Sequence, residues 1–63
     1  MNFSEELKTA RKAAKLTQQG MSDLMHIPKR TIEDWERGIM TPPAYLQRFV
    51  LNELRSIAQN QGE

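Results

Sequence analysis

Apolar residues recur every three or four positions along most of the chain, and polar breaks divide this pattern into four segments. In the first segment Leu7, Ala10 and Ala14 share one face. Ser4 precedes it, and serine is a preferred residue at the start of a helix. The pattern therefore predicts a first helix at about 5–15.

The second and third segments are short and lie close together. Thr17 can cap a helix at about 18–25, and Pro28 suits the first turn of a further helix at about 28–37. Pro28 also disfavours helical geometry at the residue before it, so the chain breaks between the two helices. Gly38 is typical of the position after a helix. Two short helices separated by a three- to four-residue turn have the spacing of a helix-turn-helix, from Thr17 to about Arg37.

The fourth segment follows Thr41-Pro42-Pro43 and predicts a helix at about 43–58, with Thr41 as its cap and a polar, frayed tail at 59–63. Its apolar set is Tyr45, Leu46, Phe49, Val50, Leu54 and Ile57. Without any alternating strand pattern, the expected fold is an all-α bundle of four or five short helices. It forms one domain over 1–63, with its packed part at about 4–58. The residues expected in the core are Leu7, Leu24, Ile32, Trp35, Leu46, Phe49 and Val50.

Composition narrows the classes of function. The 63 residues contain no cysteine and a single histidine, so a thiolate or clustered-histidine metal site is excluded. There is no nucleophile–base pair and no glycine-rich phosphate loop, and we expect neither catalysis nor a cofactor. The acidic N-terminus does not resemble a signal peptide, and no stretch approaches the length of a membrane span. A protein dissolved in the cytoplasm, associated with the nucleoid and without a small-molecule effector, is expected.

Charge is unevenly distributed along the chain. The net charge is +1, but residues 1–31 carry a balance of +3 and residues 32–63 a balance of −2. A basic half suits a protein with one phosphate-facing side. It equally suits a chain whose charges are simply hydrated, so charge alone does not decide between the two interpretations.

The residues of the middle segments form a recognisable combination. It comprises Leu16-Thr17-Gln18-Gln19, Met21, Leu24, Met25, Ile27, Ile32, Trp35-Glu36-Arg37-Gly38 and Pro42. Together they resemble the lambda-repressor-like, or XRE, family of DNA-binding domains over roughly residues 7–50. The resemblance implies that the helix at 28–37 is the recognition helix of a DNA-binding protein.

The sequence departs from that family at several positions. His26 stands where the turn usually has glycine, and histidine tolerates a left-handed conformation better than most residues. Ser22 replaces the usual alanine, and Pro28 replaces a serine or threonine cap. Only four helices are evident, whereas many relatives have five, which puts the usual dimer contact in doubt.

The resemblance assigns the base contacts to the start of the recognition helix, at Lys29, Arg30, Glu33 and Asp34, with Lys29, Arg30 and Asp34 favoured. Arg or Lys can donate to guanine and a carboxylate can accept from cytosine. The alternative is a hydrated helix face on which Arg30 pairs with Asp34 four residues later.

Two further sets follow from the resemblance. Gln18 is expected to contact a backbone phosphate where the second helix begins, with Thr17, Thr31 and Arg37 as lesser candidates. Arg11 and Glu36 are expected to form an ion pair that ties the first helix to the recognition helix, which is a structural role.

The leading functional hypothesis is a sequence-specific transcriptional regulator of repressor type that binds double-stranded DNA. A near-neutral monomer would bind weakly, so a homodimer, or another protein, is expected to bind through residues 45–57. The alternative is a protein-interaction module on the same fold, such as an antitoxin-like partner or an anti-repressor.

Overall fold

The structure is a computed structural model, and it describes residues 2–60. Within them the chain forms four helices and no strand: α1 (Phe3–Ala13), α2 (Gln18–Met25), α3 (Lys29–Arg37) and α4 (Ala44–Asn60). The all-α prediction is thus confirmed for this part of the chain. Gln59 and Asn60 continue α4 instead of fraying, and the remainder of the predicted tail lies outside the described residues. None of these helices is long and apolar enough to cross a membrane.

Helix α1 begins two residues earlier than predicted. Asn2 is its N-cap, and the Asn2 side-chain oxygen accepts a hydrogen bond from the Glu5 backbone N–H at 3.0 Å. The earlier start buries Phe3 against Trp35, with ring centroids 5.9 Å apart and an interplanar angle of 73°. Edge-to-face aromatic pairs are favourable beyond the area that they bury. The prediction that Ser4 caps α1 is therefore wrong, because Ser4 lies in the first turn.

The core lies where α1 packs against α3 and α4, while α2 packs against α3. The predicted core residues Leu7, Ile32, Trp35 and Val50 are buried, and Leu46 is half-buried against the core. Six further buried apolar residues complete it: Phe3, Ala10, Ala14, Met21, Leu51 and Leu54.

Two residues predicted to lie in the core, Phe49 and Leu24, are exposed, and so is Tyr45 of the apolar set of α4. Tyr45, Phe49 and Leu24 expose 76%, 58% and 53% of their surface. Apolar residues occur almost all round α4, and α1 covers the side that contains Leu54. Tyr45 lies nine residues from Leu54, which is half a turn away around the helix at 100° per residue. In α2, Met21 takes the one fully buried position, and the residues described here supply no fifth helix to cover Leu24.

The start of α4 also differs from the prediction. The backbone N–H groups of Leu46 and Gln47 both donate to the Pro43 carbonyl at 3.0 Å, so Pro43, and not Thr41, precedes the helix. The Gln47 side chain folds back and donates to the Pro42 carbonyl at 2.8 Å. Proline offers no side-chain cap, and this glutamine instead holds the loop against the helix.

Candidate nucleic-acid interface

The turn between α2 and α3 requires a left-handed residue, and His26 supplies it. His26 has φ 58° and ψ 40°, and the Ile27 backbone N–H donates to the Ser22 carbonyl at 3.3 Å. Pro28 then sets an extended backbone before α3. The predicted turn at His26 and Ile27 is thus confirmed, without the glycine usual at this position.

Helix α2 begins with a side-chain cap at Thr17, as predicted. The Thr17 hydroxyl oxygen accepts from the Gly20 backbone N–H at 2.9 Å. A β-carbon added at Gly20 would lie 3.2 Å from that oxygen, so the missing side chain leaves room for a close approach at the cap. The cap satisfies one backbone donor of the first turn. Other N–H groups of such a turn are available to water or to an anion.

Helix α3 presents its N-terminal half to solvent. Lys29 and Arg30 are exposed, whereas Thr31 is half-buried. The N–H groups of Thr31 and Ile32 donate to the Pro28 carbonyl, and no side chain caps the helix. Two cations therefore project from the first turn of α3, where the helix dipole does not favour positive charge. Contact with an anion would offset that unfavourable placement.

Arg30 and Asp34 lie one turn apart on α3 and approach each other. The Arg30 Nε atom is 3.8 Å from an Asp34 carboxylate oxygen, and Arg30 exposes 84% of its side chain against 16% for Asp34. At that distance the pair makes a weak electrostatic contact. Local pairing, the alternative weighed from the sequence, is thus present, but it leaves the Arg30 donors accessible to other acceptors.

The side chains of Arg11, Gln18 and Glu36 form one hydrogen-bonded group, here called the anchor network. The Arg11 guanidinium donates to both Glu36 carboxylate oxygens, at 2.7 and 3.1 Å. The Gln18 amide donates to the same carboxylate at 3.1 Å. Glu36 is the one buried charged residue among residues 2–60. A bidentate pair is the strongest arrangement available to a buried carboxylate, and it ties α1, α2 and α3 together.

Further bonds hold the two ends of the anchor network. Arg11 also donates to the Leu16 carbonyl at 2.9 Å, where the chain enters α2. The Ser4 hydroxyl donates to the backbone carbonyl of Glu36 at 2.8 Å, near the end of α3. Within residues 2–60 no buried side-chain polar atom lacks a hydrogen-bond partner. The position of α3 relative to α1 and α2 is therefore set by satisfied polar contacts as well as by packing.

An open polar cleft of about 590 Å³ lies between the start of α1, the start of α2 and the C-terminal half of α3. It brings together three residues that the sequence assigned to DNA contacts, namely Gln18, Glu33 and Arg37. The other five, Lys29, Arg30, Asp34, Thr31 and Thr17, lie outside it. The predicted site residues thus fall into two groups, one lining the cleft and one beside it.

Lys8 also lines this cleft, although it is not among the residues predicted from the sequence to bind DNA. The spacing of residues along α1 indicates this position of Lys8. Lys8 lies four residues after Ser4 and three before Arg11, so the three share one face of α1. Both of its neighbours contact Glu36, which places Lys8 on the side of α1 that faces the end of α3.

The geometry comprises two short helices with a left-handed turn and an exposed, cationic start to the second helix. A family model described as Helix-turn-helix, of the lambda-repressor-like (XRE) type, matches residues 7–48, two thirds of the chain. The chain belongs to this family. Neither a curated protein nor a solved structure matches it significantly.

Membership of the lambda-repressor-like family fixes the general function. The family is a DNA-binding, regulatory one, and this chain is a DNA-binding helix-turn-helix domain. In helix-turn-helix domains generally, the second helix of the motif enters the major groove and the first crosses the backbone. In this chain α2 and α3 are the first and second helices of the motif.

Proposed function

We propose that this lambda-repressor-like domain is a sequence-specific transcriptional repressor that inserts the start of α3 into the major groove. The observation that carries the proposal is the exposed pair Lys29 and Arg30 on the first turn of α3. A long cationic side chain at that position can donate two hydrogen bonds to guanine. The anchor network supports the proposal, because it holds α3 in a fixed orientation for that contact.

The carboxylates of α3 are the second part of the proposed reading surface. Asp34, partly buried and beside Arg30, has oxygens that can accept from cytosine N4, and Glu33 lies one residue earlier. A carboxylate near the DNA also repels phosphate, so it weakens binding in a wrong register on the duplex. Lys29 and Arg30 supply attraction, while Asp34 and Glu33 contribute discrimination.

The backbone of the duplex is the proposed partner of Thr17, Gln18, Thr31 and Arg37. Gln18 uses its amide group for Glu36, and an amide nitrogen carries two protons, so one remains for a phosphate oxygen. Arg37 ends α3, is exposed and lines the cleft with Gln18. Such contacts fix the position of the protein on the duplex without reading the sequence.

Repression by this domain would follow from occlusion of a promoter. Two copies bound about one helical turn apart would read a near-palindromic site, and both would act through the same α3 contacts. With a net charge of only +1, one copy gains little from non-specific attraction to DNA. Double occupancy therefore supplies the affinity that a single copy lacks.

A selection from randomised duplexes, followed by binding titrations with Lys29→Ala and Arg30→Ala, tests the proposal. We expect one enriched motif and a loss of about 1–3 kcal/mol in binding for each variant, with relaxed preference at one base pair. Lys12→Ala is the matched control, because Lys12 is exposed on α1 away from the cleft. If both α3 variants recover the same motif with unchanged affinity, the assignment of base contacts is wrong.

A second candidate function is a protein-interaction module on the same fold. The exposed apolar residues Leu24 and Phe49 favour it, since large exposed apolar patches mark interaction sites. Titration of random duplex DNA against salt separates the two candidates. A regulator gains affinity steeply as salt falls, whereas a protein-interaction module shows no measurable affinity even at low salt.

A further inference from the structure

Lys8 is a half-buried cation in the middle of α1, and it lines the polar cleft between α1, α2 and α3. None of the ion pairs found among residues 2–60 includes it. A lysine held against the wall of a cleft, without a carboxylate partner in the described chain, can offer its ammonium group to an anion from outside. Lys8 therefore has a position and a chemistry that the packing of the bundle does not use.

The charges that line the cleft balance only because Lys8 is among them. The other charged residues of the lining are Arg37 and the carboxylates Glu5, Glu33 and Glu36. Glu36 is neutralised within the anchor network. Of the remaining four residues, the two cations offset the two carboxylates. Without Lys8 the cleft would have a net negative charge and would repel a phosphate.

Three helices each bring a hydrogen-bond donor to this cleft. Lys8 comes from α1, Gln18 from the start of α2 and Arg37 from the end of α3. The Gln18 amide donates one proton to Glu36 and keeps the second, and Arg37 forms no ion pair within residues 2–60. The start of α2 adds the positive end of its helix dipole. Donors from several directions suit an anion that has more than one acceptor oxygen, as a phosphate has.

We propose that Lys8 binds the same DNA backbone phosphate as Gln18 and Arg37, so that the cleft holds one phosphate between α1, α2 and α3. This inference rests on the proposed function, in which Gln18 and Arg37 contact the backbone of the duplex. A phosphate held from three helices fixes the position of the whole bundle on the duplex, and it does so without reading the sequence. Lys8 thus adds affinity for DNA of any sequence.

Fluorescence anisotropy of Lys8→Met, with the selected motif and with random duplex, tests the contact. Methionine keeps an apolar stem and removes the charge, and urea denaturation checks that the variant remains folded. We expect affinity to fall about three- to tenfold for both duplexes, and the slope of log affinity against log salt to fall by about 0.9. Lys8→Arg should restore both. Lys12→Met is the matched control, because Lys12 is exposed on α1 outside the cleft, and it should change affinity by less than about twofold.

Methylphosphonate substitution identifies the phosphate. A neutral methylphosphonate, placed at one backbone position at a time, removes a single charge from the selected duplex. In each half of the site we expect one position at which this change weakens binding of the natural chain but has little effect on Lys8→Met or Arg37→Ala. Lys12→Met should keep the full loss. Different positions for Lys8 and Arg37, or no position whose effect depends on Lys8, would overturn the proposal.

The outcomes distinguish this inference from the proposed function. A natural chain that selects one motif, and binds it no better than folded Lys8→Met does, removes the role of Lys8 and leaves the regulator intact. A natural chain that binds neither a selected motif nor random duplex overturns both.

Discussion

Arg11 and Glu36 lie 25 residues apart in sequence and form a bidentate ion pair, with Arg11 Nε 2.7 Å from a Glu36 carboxylate oxygen. Both are largely withdrawn from water, with side-chain exposures of 13% and 6%. Removal of one member of a buried pair leaves an uncompensated charge, which is costly. The pair is therefore the most sensitive polar contact to test.

Arg11→Met and Glu36→Ala should each lower the free energy of unfolding by about 3 kcal/mol, measured by urea denaturation. The double variant should lose much less than the sum, because it leaves no unpaired charge. The coupling energy of the cycle should be on the order of 2 kcal/mol. Additive losses would show that the two side chains do not depend on each other. Lys12→Met, at an exposed neighbouring position of α1, is the control and should change stability by less than about 0.5 kcal/mol.

Lys15 and His26 occupy left-handed conformations, with φ 60° and 58°, and glycine should be better at both positions. A side chain there costs about 1–2 kcal/mol, and glycine returns about 0.5–1 kcal/mol of that as chain entropy. Each substitution to glycine should therefore raise stability by about 0.5 kcal/mol, or the midpoint of thermal unfolding by about 2–4 °C.

The corresponding alanine variants, Lys15→Ala and His26→Ala, are the controls for these glycine substitutions. They keep the left-handed strain and should not gain stability. Gly38→Ala tests the reverse change, in which a side chain is added at a left-handed position. Gly38 has φ 79°, and a β-carbon there would meet nothing within 4 Å, so the expected loss of about 1 kcal/mol is conformational alone. Equal stability of the glycine and alanine variants at position 26 would show that the turn is unstrained.

Arg37→Ala should separate phosphate contact from base contact. Arg37 is exposed and ends α3, and within residues 2–60 it forms no ion pair, so stability should change by less than about 0.5 kcal/mol. If it contacts a phosphate, affinity should fall by a similar factor for the selected motif and for random duplex. The slope of log affinity against log salt should fall by about 0.9.

Arg30→Ala is the matched comparison for Arg37→Ala, with affinity losses confined to the selected motif. Fluorescence anisotropy at several salt concentrations measures both effects. A loss for Arg37→Ala that depends on the sequence of the duplex, with an unchanged slope, would contradict its assignment to the backbone.

Leu54→Ala and Leu24→Ala test which faces of the helices form the core. Leu54 is fully buried, and its truncation should cost about 3 kcal/mol, a large part of the stability expected for a chain of this size. Leu24 is more than half exposed, and its truncation should cost less than about 1 kcal/mol. Denaturation of both variants, side by side, gives the comparison. Equal losses would place α2 deeper in the core than the structure does.

The sequence predicted the four helices because their caps and breaks are local. Thr17, Pro28 and Gly38 act on residues within one turn. The structure confirms Thr17 and Gly38 as the ends of α2 and α3, and it places Pro28 one residue before α3 instead of in its first turn. The buried side of α4 was not predictable in the same way. Its apolar residues fit two overlapping registers, one through Tyr45 and Phe49 and one through Leu51 and Leu54. Only the packing of α1 against α4 selects between them.

The candidate site was predictable as far as its residues are local to the helix-turn-helix. The ion pair of Arg11 with Glu36 followed from the family resemblance, whereas the bond from Gln18 to the same carboxylate did not. Gln18 lies 18 residues from Glu36, and no local spacing rule connects them. The position of Lys8 in the cleft is also non-local, because it depends on how α1 lies across the end of α3.

The anchor network has a consequence for cooperativity. One carboxylate on α3 holds a guanidinium from α1 and an amide from α2, so α3 cannot detach without breaking both connections. We therefore expect the helix proposed to read DNA to unfold together with α1 and α2, without a separate local unfolding step. Binding of DNA to this helix should consequently raise the free energy of unfolding of the other helices as well. Hydrogen exchange should then slow throughout the bundle when a duplex binds.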